Sequence, residues 1–544
     1  MSGKNFRLTA DGKIFRYGRK RYPNGDLYQG EFVDGLREGR GQLEYANGNV
    51  YQGEWKSNMF HGFGVMSWGP FSEGDRIITG RRYEGNYERG MKCGEGLLLL
   101  GQGDKYEGCF KDDMYHGPGK MTKGNGDQIE GIYAFGNLNG YAKIRYANGN
   151  RYDGEFIAGH FHGKGKFVYD SRWPGWYEGE YRHGKQHGRG TRVFANNNRY
   201  EGQFQFGDLE GEGIMEFANG NQYVGSWKGG AMDGRGVLQY ANGDRYEGEF
   251  CKGFFYGRGR FQYADGGYFE GEYVKTKGGY EHGVRFPDPD GRRNGHGVRV
   301  WVTGDKYEGQ WSDNLMHGAG IVRKASGGKF EGTFRWGKKM GYGKETWGNT
   351  LNIQYTCPLG FRHEGRGFCS YEGYFTDGHF HGHGCFSTVD GRQYDGQWRR
   401  GRRHGWGSCI MAPLDERGDP RRQFMGGIDG MYRIYGYIGE WDDGRRTGKG
   451  TIEYPGGVRV TGEFVDGKCE GEAKYTFEGL GTMRRALFRG GSRVQWLGPA
   501  EEDPDVANAS DTKSIISAMF GNREVRSNSL ESGDTTGGGS LSVI

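Results

Sequence analysis

Long apolar runs are missing from this sequence. The longest aliphatic stretch is Leu97 to Leu100, far short of the roughly 20 residues a membrane-spanning helix needs. Met1 to Lys13 hold no apolar segment of the kind that heads a secretory signal, and Ser2 stands where a myristoylated chain carries glycine. A cytoplasmic protein without a membrane anchor is the expectation. Proline is scarce, 12 of 544 residues, and no Gly-X-Y period runs through the chain, which excludes a collagen-like fold. The eight cysteines include no C-x-x-C pair. Disulfide frameworks belong to small, cysteine-dense secreted domains, so reduced thiols are expected. No phosphate loop of the G-x-x-x-x-G-K-[ST] type and no kinase HRD or DFG set occurs. No catalytic residue and no cofactor is expected.

Apolar residues make up only 34% of the chain, yet it carries 36 Tyr, 33 Phe, 13 Trp and 110 Gly. A disordered chain is poor in rings. One that is rich in both rings and glycine needs a fold in which flat side chains lie against bare backbone, which points to sheet. The net charge of +5 hides an asymmetry, because residues from 501 onward carry eight acids against three bases. The remainder is therefore basic, which favours an acidic partner but falls well short of a nucleic-acid binder.

The period organises everything else. The pattern aromatic-x-Gly-x-aromatic begins at Tyr28, Tyr51, Tyr83, Tyr106, Ile129, Tyr152, Tyr177, Tyr200, Tyr223, Tyr246, Phe269, Tyr307, Phe330, Tyr371, Tyr394, Tyr437 and Val460, the variants included. Of the sixteen intervals between these seventeen starts, eleven are 23 residues. The pattern is defined by pairs such as Tyr28 and Gly30, Tyr51 and Gly53, Tyr106 and Gly108, and Tyr152 and Gly154. It recurs in Tyr200 and Gly202, Tyr246 and Gly248, Tyr307 and Gly309, and Tyr394 and Gly396.

In one unit, Tyr152-Asp-Gly154-Glu-Phe156 is followed by a loop and then Gly163-Lys-Gly165-Lys-Phe167. Each half alternates with period two, the mark of a strand with unlike faces. An antiparallel hairpin is expected to pair Phe156 with Gly163, Gly154 with Gly165, and Tyr152 with Phe167. The rings of one strand then lie over glycines of its neighbour, restoring the contact a bare strand lacks. The other face is expected to set Glu155 against Lys164 and Asp153 against Lys166, and elsewhere Glu249 against Arg258 and Glu247 against Arg260. Between units stand Ala46-Asn47-Gly48, Ala147-Asn148-Gly149, Ala218-Asn219-Gly220 and Ala241-Asn242-Gly243. Asn-Gly predicts a type I′ turn, which needs φ > 0 at both central residues. With a turn at both ends of every strand, the chain becomes one antiparallel ribbon of about 34 strands, two per unit.

This motif, Y-x-G-x-F followed by G-x-G-x-aromatic and N-G, resembles the MORN (membrane occupation and recognition nexus) repeat over about residues 14 to 485. The resemblance implies an all-β, elongated, single-layer antiparallel solenoid that serves as a scaffold, as in cytoskeletal MORN proteins, radial-spoke head proteins of cilia and junctophilins. Such arrays also occur fused to lipid kinases and methyltransferases, but the 45 or so residues that follow the array could hold neither.

The expected layout is an N-terminal segment with a partial capping repeat (1–27), the array (28–485), a degenerate end cap (486–499) and a disordered acidic, Ser/Gly-rich tail (500–544). Inserts fall at 69–82, 274–294, 348–370 and 412–434. Three of them replace the Asn-Gly turn, and 274–294 sits in the opposite set of loops. Inserts confined to one edge of a solenoid often mark a binding face.

Few residues suggest chemistry. Histidine precedes the first glycine of G-x-G at His61, His116, His162, His187, His317, His381 and His404, a shared register that reads as structure. The grouping with ligand character is His379, His381 and His383, near Cys385. The register already accounts for His381, so no metal is expected. The densest basic cluster is Arg399, Arg400, Arg402 and Arg403, between Trp398 and Trp406, with Arg421, Arg422, Arg445 and Arg446 further on. Arginines beside tryptophan suit phosphoinositide headgroups or an acidic protein tail. In the tail, Ile515, Ile516, Met519 and Phe520 stand at helical spacing, as in a segment that docks on a partner.

The function these readings favour is a structural scaffold of the cytoskeleton or of a cilium or flagellum, binding proteins along one edge and dimerising through an end. The alternatives are a module for phosphoinositides or anionic membranes, and a targeting subunit for a separate enzyme. Neither nucleic acid nor a small-molecule substrate is expected.

Overall fold

The computed structural model describes residues 6–8, 12–73, 76–170, 172, 174–274, 279–281, 284–286, 292–347, 369–388, 391–410, 436–454, 457–477 and 480–502. The Arg421/Arg422 pair, the tail group Ile515 to Phe520 and most of the inserts at 348–370 and 412–434 lie outside these residues. The protein is all-β. Among the described residues 39 strands belong to one antiparallel sheet, with two further two-stranded sheets. The excess over the expected number comes from Phe6–Leu8 and Ile14–Arg21 before the first unit, and from Thr482–Arg489, Ser492–Trp496 and Glu501–Glu502 after the last. The two small sheets are hairpins inside inserts, Phe71–Glu73 with Arg76–Ile78 and Gly279–Glu281 with Val284–Phe286.

The chain divides into two compact units. The first comprises Met1–Gly304 with Gln310–Leu315, the second Asp305–Gly309 with Met316–Ile544. Each is built from the same hairpin. In the first unit, Arg151–Ile157 pairs with His160–Val168, with Tyr152 opposite Phe167, Asp153 opposite Lys166 and Gly154 opposite Gly165. In the second, Gln393–Arg399 pairs with Arg402–Ile410, with Tyr394 opposite Cys409 and Gly396 opposite Gly407.

Beyond the glycine pair the register departs from the expected one. Phe156 lies opposite Phe161, not Gly163, because a β-bulge interrupts the ladder between Gly154 and Phe156. The same break follows Gly30, Gly53, Gly108 and Gly248, which pair with Gly41, Gly64, Gly119 and Gly259 and are the last residues in even register. Gly163 sits at φ +60°, a conformation that absorbs the extra residue without a Cβ penalty. The expected Glu155–Lys164 and Glu249–Arg258 pairs within a hairpin are therefore wrong. Glu249 faces Tyr256, while Arg258 faces Glu272 and Lys164 faces Glu180 of the following unit. The Glu–cation pairs stitch neighbouring hairpins together, as in Lys166–Glu178 at 2.8 Å.

The turn assignment is also reversed. Type I′ geometry occurs inside the repeats other than the one interrupted by the 274–294 insert, as at Asp34 (φ 51°) and Gly35 (φ 83°), where two residues link the strands. At Ala46-Asn47-Gly48 only Gly48 has a positive φ (84°). There Gly48 N donates to Tyr45 O at 3.0 Å and Tyr45 N to Asn49 O at 2.8 Å, a three-residue loop. The residue after that turn links it to the next one: Asn198 Oδ1 accepts Ala218 N at 2.9 Å, and Asp244 Oδ1 accepts Ala264 N at 2.8 Å.

The core is a single face of rings. Tyr152 stacks on Phe161 at 3.9 Å and meets Phe156 and Tyr181 edge-on at 5.2 and 5.5 Å. Its ring covers Gly154 and Gly165, and its hydroxyl donates to Glu155 O at 3.2 Å. The ring thus lies over its neighbour's glycine as expected, and also over a glycine of its own strand. The tyrosine leans along its own strand, so it spans the glycine two residues on as well as the one across the ladder. A Cβ at Gly30, Gly53, Gly108, Gly202, Gly248, Gly309 or Gly396 would come within 2.8 Å of the hydroxyl of the tyrosine two residues before it. Across the ladder a Cβ at Gly41, Gly64, Gly119 or Gly259 would strike the same rings.

The hydroxyl bond to the carbonyl three residues on recurs at Tyr28, Tyr51, Tyr106, Tyr200, Tyr246 and Tyr394. That carbonyl lies at the bulge, where the ladder is broken, so the phenol supplies a donor and phenylalanine would not. Two units lack the ring, beginning at Ile129 and Val460. In both, the second glycine of G-x-G is alanine: Ala142 opposite Gly131, and Ala473 on the strand beside Gly462. A methyl group is tolerated where no ring covers the position.

Candidate interaction surfaces

The side chains of a unit divide into three surfaces. The first is the aromatic face, whose tyrosines are sealed. Tyr28, Tyr51, Tyr106, Tyr200, Tyr246, Tyr307 and Tyr394 are fully buried. The glycines that define the repeat, Gly30, Gly53, Gly108, Gly154, Gly202, Gly248, Gly309 and Gly396, lie beneath these rings. They are packing positions, and the rings that cover them leave no room there for a partner. Burial pushes the Tyr152 and Tyr246 phenols well above their ordinary range, and Tyr307 up to about 12. Burial likewise pushes the Cys469 thiol up to about 11, with Glu470 adding to the effect, so it is held as an unreactive thiol.

The second surface is the edge of I′ turns, where the basic cluster lies with its arginines divided among different neighbours. Arg400 is the first residue of the turn, exposed, at φ 50°. Arg399 meets His404 at 3.4 Å, and His404 in turn meets Asp442 at 3.1 Å. Arg402 is paired with Asp443, and Arg445 with Asp466. Arg403 and Arg446 turn to the other face. Arg403 lies 4.1 Å over the Trp441 ring and donates to Gly444 O at 2.9 Å, while Arg446 lies over Tyr437 and Phe464 at 5.5 and 5.6 Å. They occupy the register place held by Phe161 and Phe255 in sister units and act there as cationic core residues.

The third surface is the polar face. His383 lies here, 3.4 Å from Asp395, while His379 and His381 are exposed on the same strand, His379–Ser387. Among the described residues no group of three or more His, Cys, Asp or Glu is placed to hold a metal ion. The sequence reading missed a row of exposed aromatics on this face: Tyr342, Tyr374 and Trp406. Their signal was present, since the residue between the two glycines of G-x-G points to the polar face, and Gly341-Tyr342-Gly343 and Gly405-Trp406-Gly407 put rings there. Among the described residues no helix is long and apolar enough to cross a membrane.

A family model for the MORN repeat matches the chain seventeen times, from residues 28–50 through 461–482, together more than half its length. The chain belongs to the MORN repeat family. The matched units begin at or next to the hairpins described above, apart from 290–306, which opens in the insert before Arg292–Val300. Among curated proteins the chain is similar to Alsin from Homo sapiens, 33% identical over 167 residues, and to Alsin from Rattus norvegicus, 26% identical over 168 residues. Each alignment covers 29% of this chain and 9% of the relative, so the likeness concerns a small part of Alsin. Among solved structures, the Drosophila melanogaster SAS-4 (dCPAP) TCP domain in complex with a proline-rich motif of Ana2 (dSTIL) aligns with 30% of this chain and 84% of its own, at 16% identity and a TM-score of 0.19. A streptogramin B lyase aligns with 54% of this chain and 90% of its own, at 10% identity and a TM-score of 0.10.

Proposed function

We propose that this MORN-repeat chain is a non-catalytic scaffold that organises protein partners on the cytoskeleton or in a cilium or flagellum. The observation that supports the reading is the division between faces. Side chains that recur from unit to unit, such as Tyr152, Gly154 and Gly165, are consumed in packing, while those that vary lie on the polar face and the turn edges. A repeat fixed on one side and free on the other can present different partners with different surfaces on a common frame. The alternative, an anionic-membrane or phosphoinositide module at Arg399–Arg403, is less well supported. Arg402 and Arg445 are already neutralised by Asp443 and Asp466, and Arg403 faces the aromatic side.

Endogenous tagging followed by detergent extraction tests the choice. Signal retained on an axoneme, basal body or cortical array is the expected result, and complete release with the detergent phase would overturn the scaffold reading.

A further inference from the structure

One hairpin departs from the apolar rule of the aromatic face. In Trp176–Arg182 with Lys185–Val193, Gln186 and Arg192 hold the registers of Phe161 and Phe167 in the preceding hairpin and of Leu209 and Met215 in the following one. Arg192 Nη1 donates to Gln186 Oε1 at 3.4 Å, and the guanidinium lies 4.6 Å over the Phe194 ring. Beside it an open cavity of about 360 Å³ is lined by Tyr169, Gly175, Arg192, Phe194 and Asn196, among others. A second arginine shows why the space exists. At the same register Arg299 closes 3.8 Å over Tyr263, which precedes its loop as Tyr169 does. Arg192 turns instead to the Phe194 of its own strand, and the side toward Tyr169 stays open.

Charge decides what such a cavity takes. At the corresponding two registers of Lys329–Arg335 with Lys338–Trp347 stand Lys339 and Glu345, and they pair with one another. Gln186 brings no charge to Arg192. Among the described residues no carboxylate is paired with Arg192, and Asp170, the acid of the adjoining loop, is paired with Arg172 at 3.0 Å. The polar groups left over nearby can donate. Asn196 Oδ1 accepts Asn198 N at 3.0 Å, which fixes the amide with its nitrogen unpartnered, and the Tyr181 hydroxyl, opposite Gln186 in the ladder, is buried without a partner.

A half-buried guanidinium without a counter-ion presents a planar fork of donors that a carboxylate matches. We infer that the cavity receives a single carboxylate, the side chain of an aspartate or glutamate in a partner protein, which takes at Arg192 the place that Glu345 holds beside Lys339. One cation selects one negative charge, and the Tyr169 and Phe194 rings suit an apolar neighbour of that acid. The inference rests on the reading of this chain as a binder of proteins and names the chemistry of one partner.

The test is a fluorescence-anisotropy titration of the full chain with a labelled Gly/Ser peptide carrying one glutamate beside one phenylalanine. Arg192→Met is expected to weaken binding roughly tenfold or more. The fold accepts that change, since Met215 stands at the same register in the next hairpin, and unchanged circular dichroism confirms it. Arg192→Lys is expected to retain part of the affinity, and Arg299→Met, at the same register but outside the cavity, all of it. Equal affinity in Arg192→Met, or equal binding of a peptide with glutamine for glutamate, overturns the inference. So does N-acetylglutamate binding as tightly as the peptide, which would make the ligand a free small acid, and so does capture by phosphatidylinositol vesicles that Arg192→Met abolishes. A chain retained on the cytoskeleton yet blind to the peptide refutes this cavity alone, whereas detergent release refutes the scaffold reading itself.

Discussion

Replacing Gly165 by alanine tests the central packing device, because the fault it introduces is steric and local. A Cβ at Gly165 would lie 2.7 Å from Cζ and 2.9 Å from Cε2 of Tyr152, and closer still to its hydroxyl. The backbone at Gly165 is not in the left-handed region, so the cost is crowding alone. The ring cannot withdraw freely: Phe161 stacks on it at 3.9 Å, Phe156 and Tyr181 hold its edges, and its hydroxyl is bonded to Glu155 O. Overpacking of this kind costs about 1–3 kcal/mol, and loss of the hydroxyl bond adds about 1 kcal/mol. Gly165→Ala is therefore expected to destabilise the hairpin by about 2–4 kcal/mol. In a Tyr152→Ile background the ring is gone, and the same alanine is expected to cost almost nothing, as the hairpin that carries both Ile129 and Ala142 indicates. The assay is a double-mutant cycle on local opening free energies, read by hydrogen exchange at the amides of Arg151–Ile157, since long arrays do not unfold as two states. The reasoning fails if the two substitutions add to within about 0.5 kcal/mol, or if Gly165→Ala alone is silent.

Two further outcomes are expected. Burial raises the Tyr307 phenol to about 12, and burial with Tyr115 beside it raises Tyr133 to about 12, while unfolded tyrosine ionises near pH 10. Below about pH 10 neither state is ionised and the stability is whole; above it the unfolded chain sheds protons that the folded chain keeps, so stability falls with rising pH. Phenolate absorbance should then reach its full value only together with loss of the β-sheet circular dichroism, and ionisation of all 36 tyrosines with the circular dichroism unchanged would contradict it. Asp443→Asn with Asp466→Asn releases Arg402 and Arg445 from their ion pairs. Sedimentation with anionic vesicles at low salt should increase in this variant over the native chain. No increase would mean that those arginines are not held back by their partners.

Strand positions, the two faces and the tyrosine-over-glycine contact were legible because period two and period 23 survive any local irregularity. That each ring also covers a glycine of its own strand, Gly30 under Tyr28 or Gly248 under Tyr246, was not, because spacing fixes a side chain's face and not its lean along the strand. The bulge was not legible either. Counting evenly from Gly154 to Phe156 and across the turn gives Gly163 as the partner, and only the left-handed backbone at Gly163 shifts the register. A glycine standing always at that place was the available clue. The turn types were exchanged for a related reason: Asn-Gly is compatible with both a I′ turn and a three-residue loop, and the bonds of Tyr45 decide between them. The division of the arginine cluster was not legible, because linear density ignores faces. Arg402 and Arg403 are neighbours in sequence and lie on opposite sides of the sheet.

That Ile129 and Ala142 occur together in one hairpin, as Tyr152 and Gly165 do in another, has a consequence for how such an array can change its copy number. The ring and the glycines it covers lie on the two strands of one hairpin, while adjacent hairpins meet through an even strand ladder, ion pairs such as Lys166–Glu178 and turn contacts such as Asn198 to Ala218. Recombination with breakpoints at the Asn-Gly turns would move whole hairpins and leave each ring over its own glycine. A breakpoint at the tight turn inside a hairpin would join a tyrosine strand to an alanine strand and create the clash described for Gly165. The heritable module is thus the hairpin bounded by Asn-Gly, and expansion or contraction of the array is expected to proceed in steps of that module.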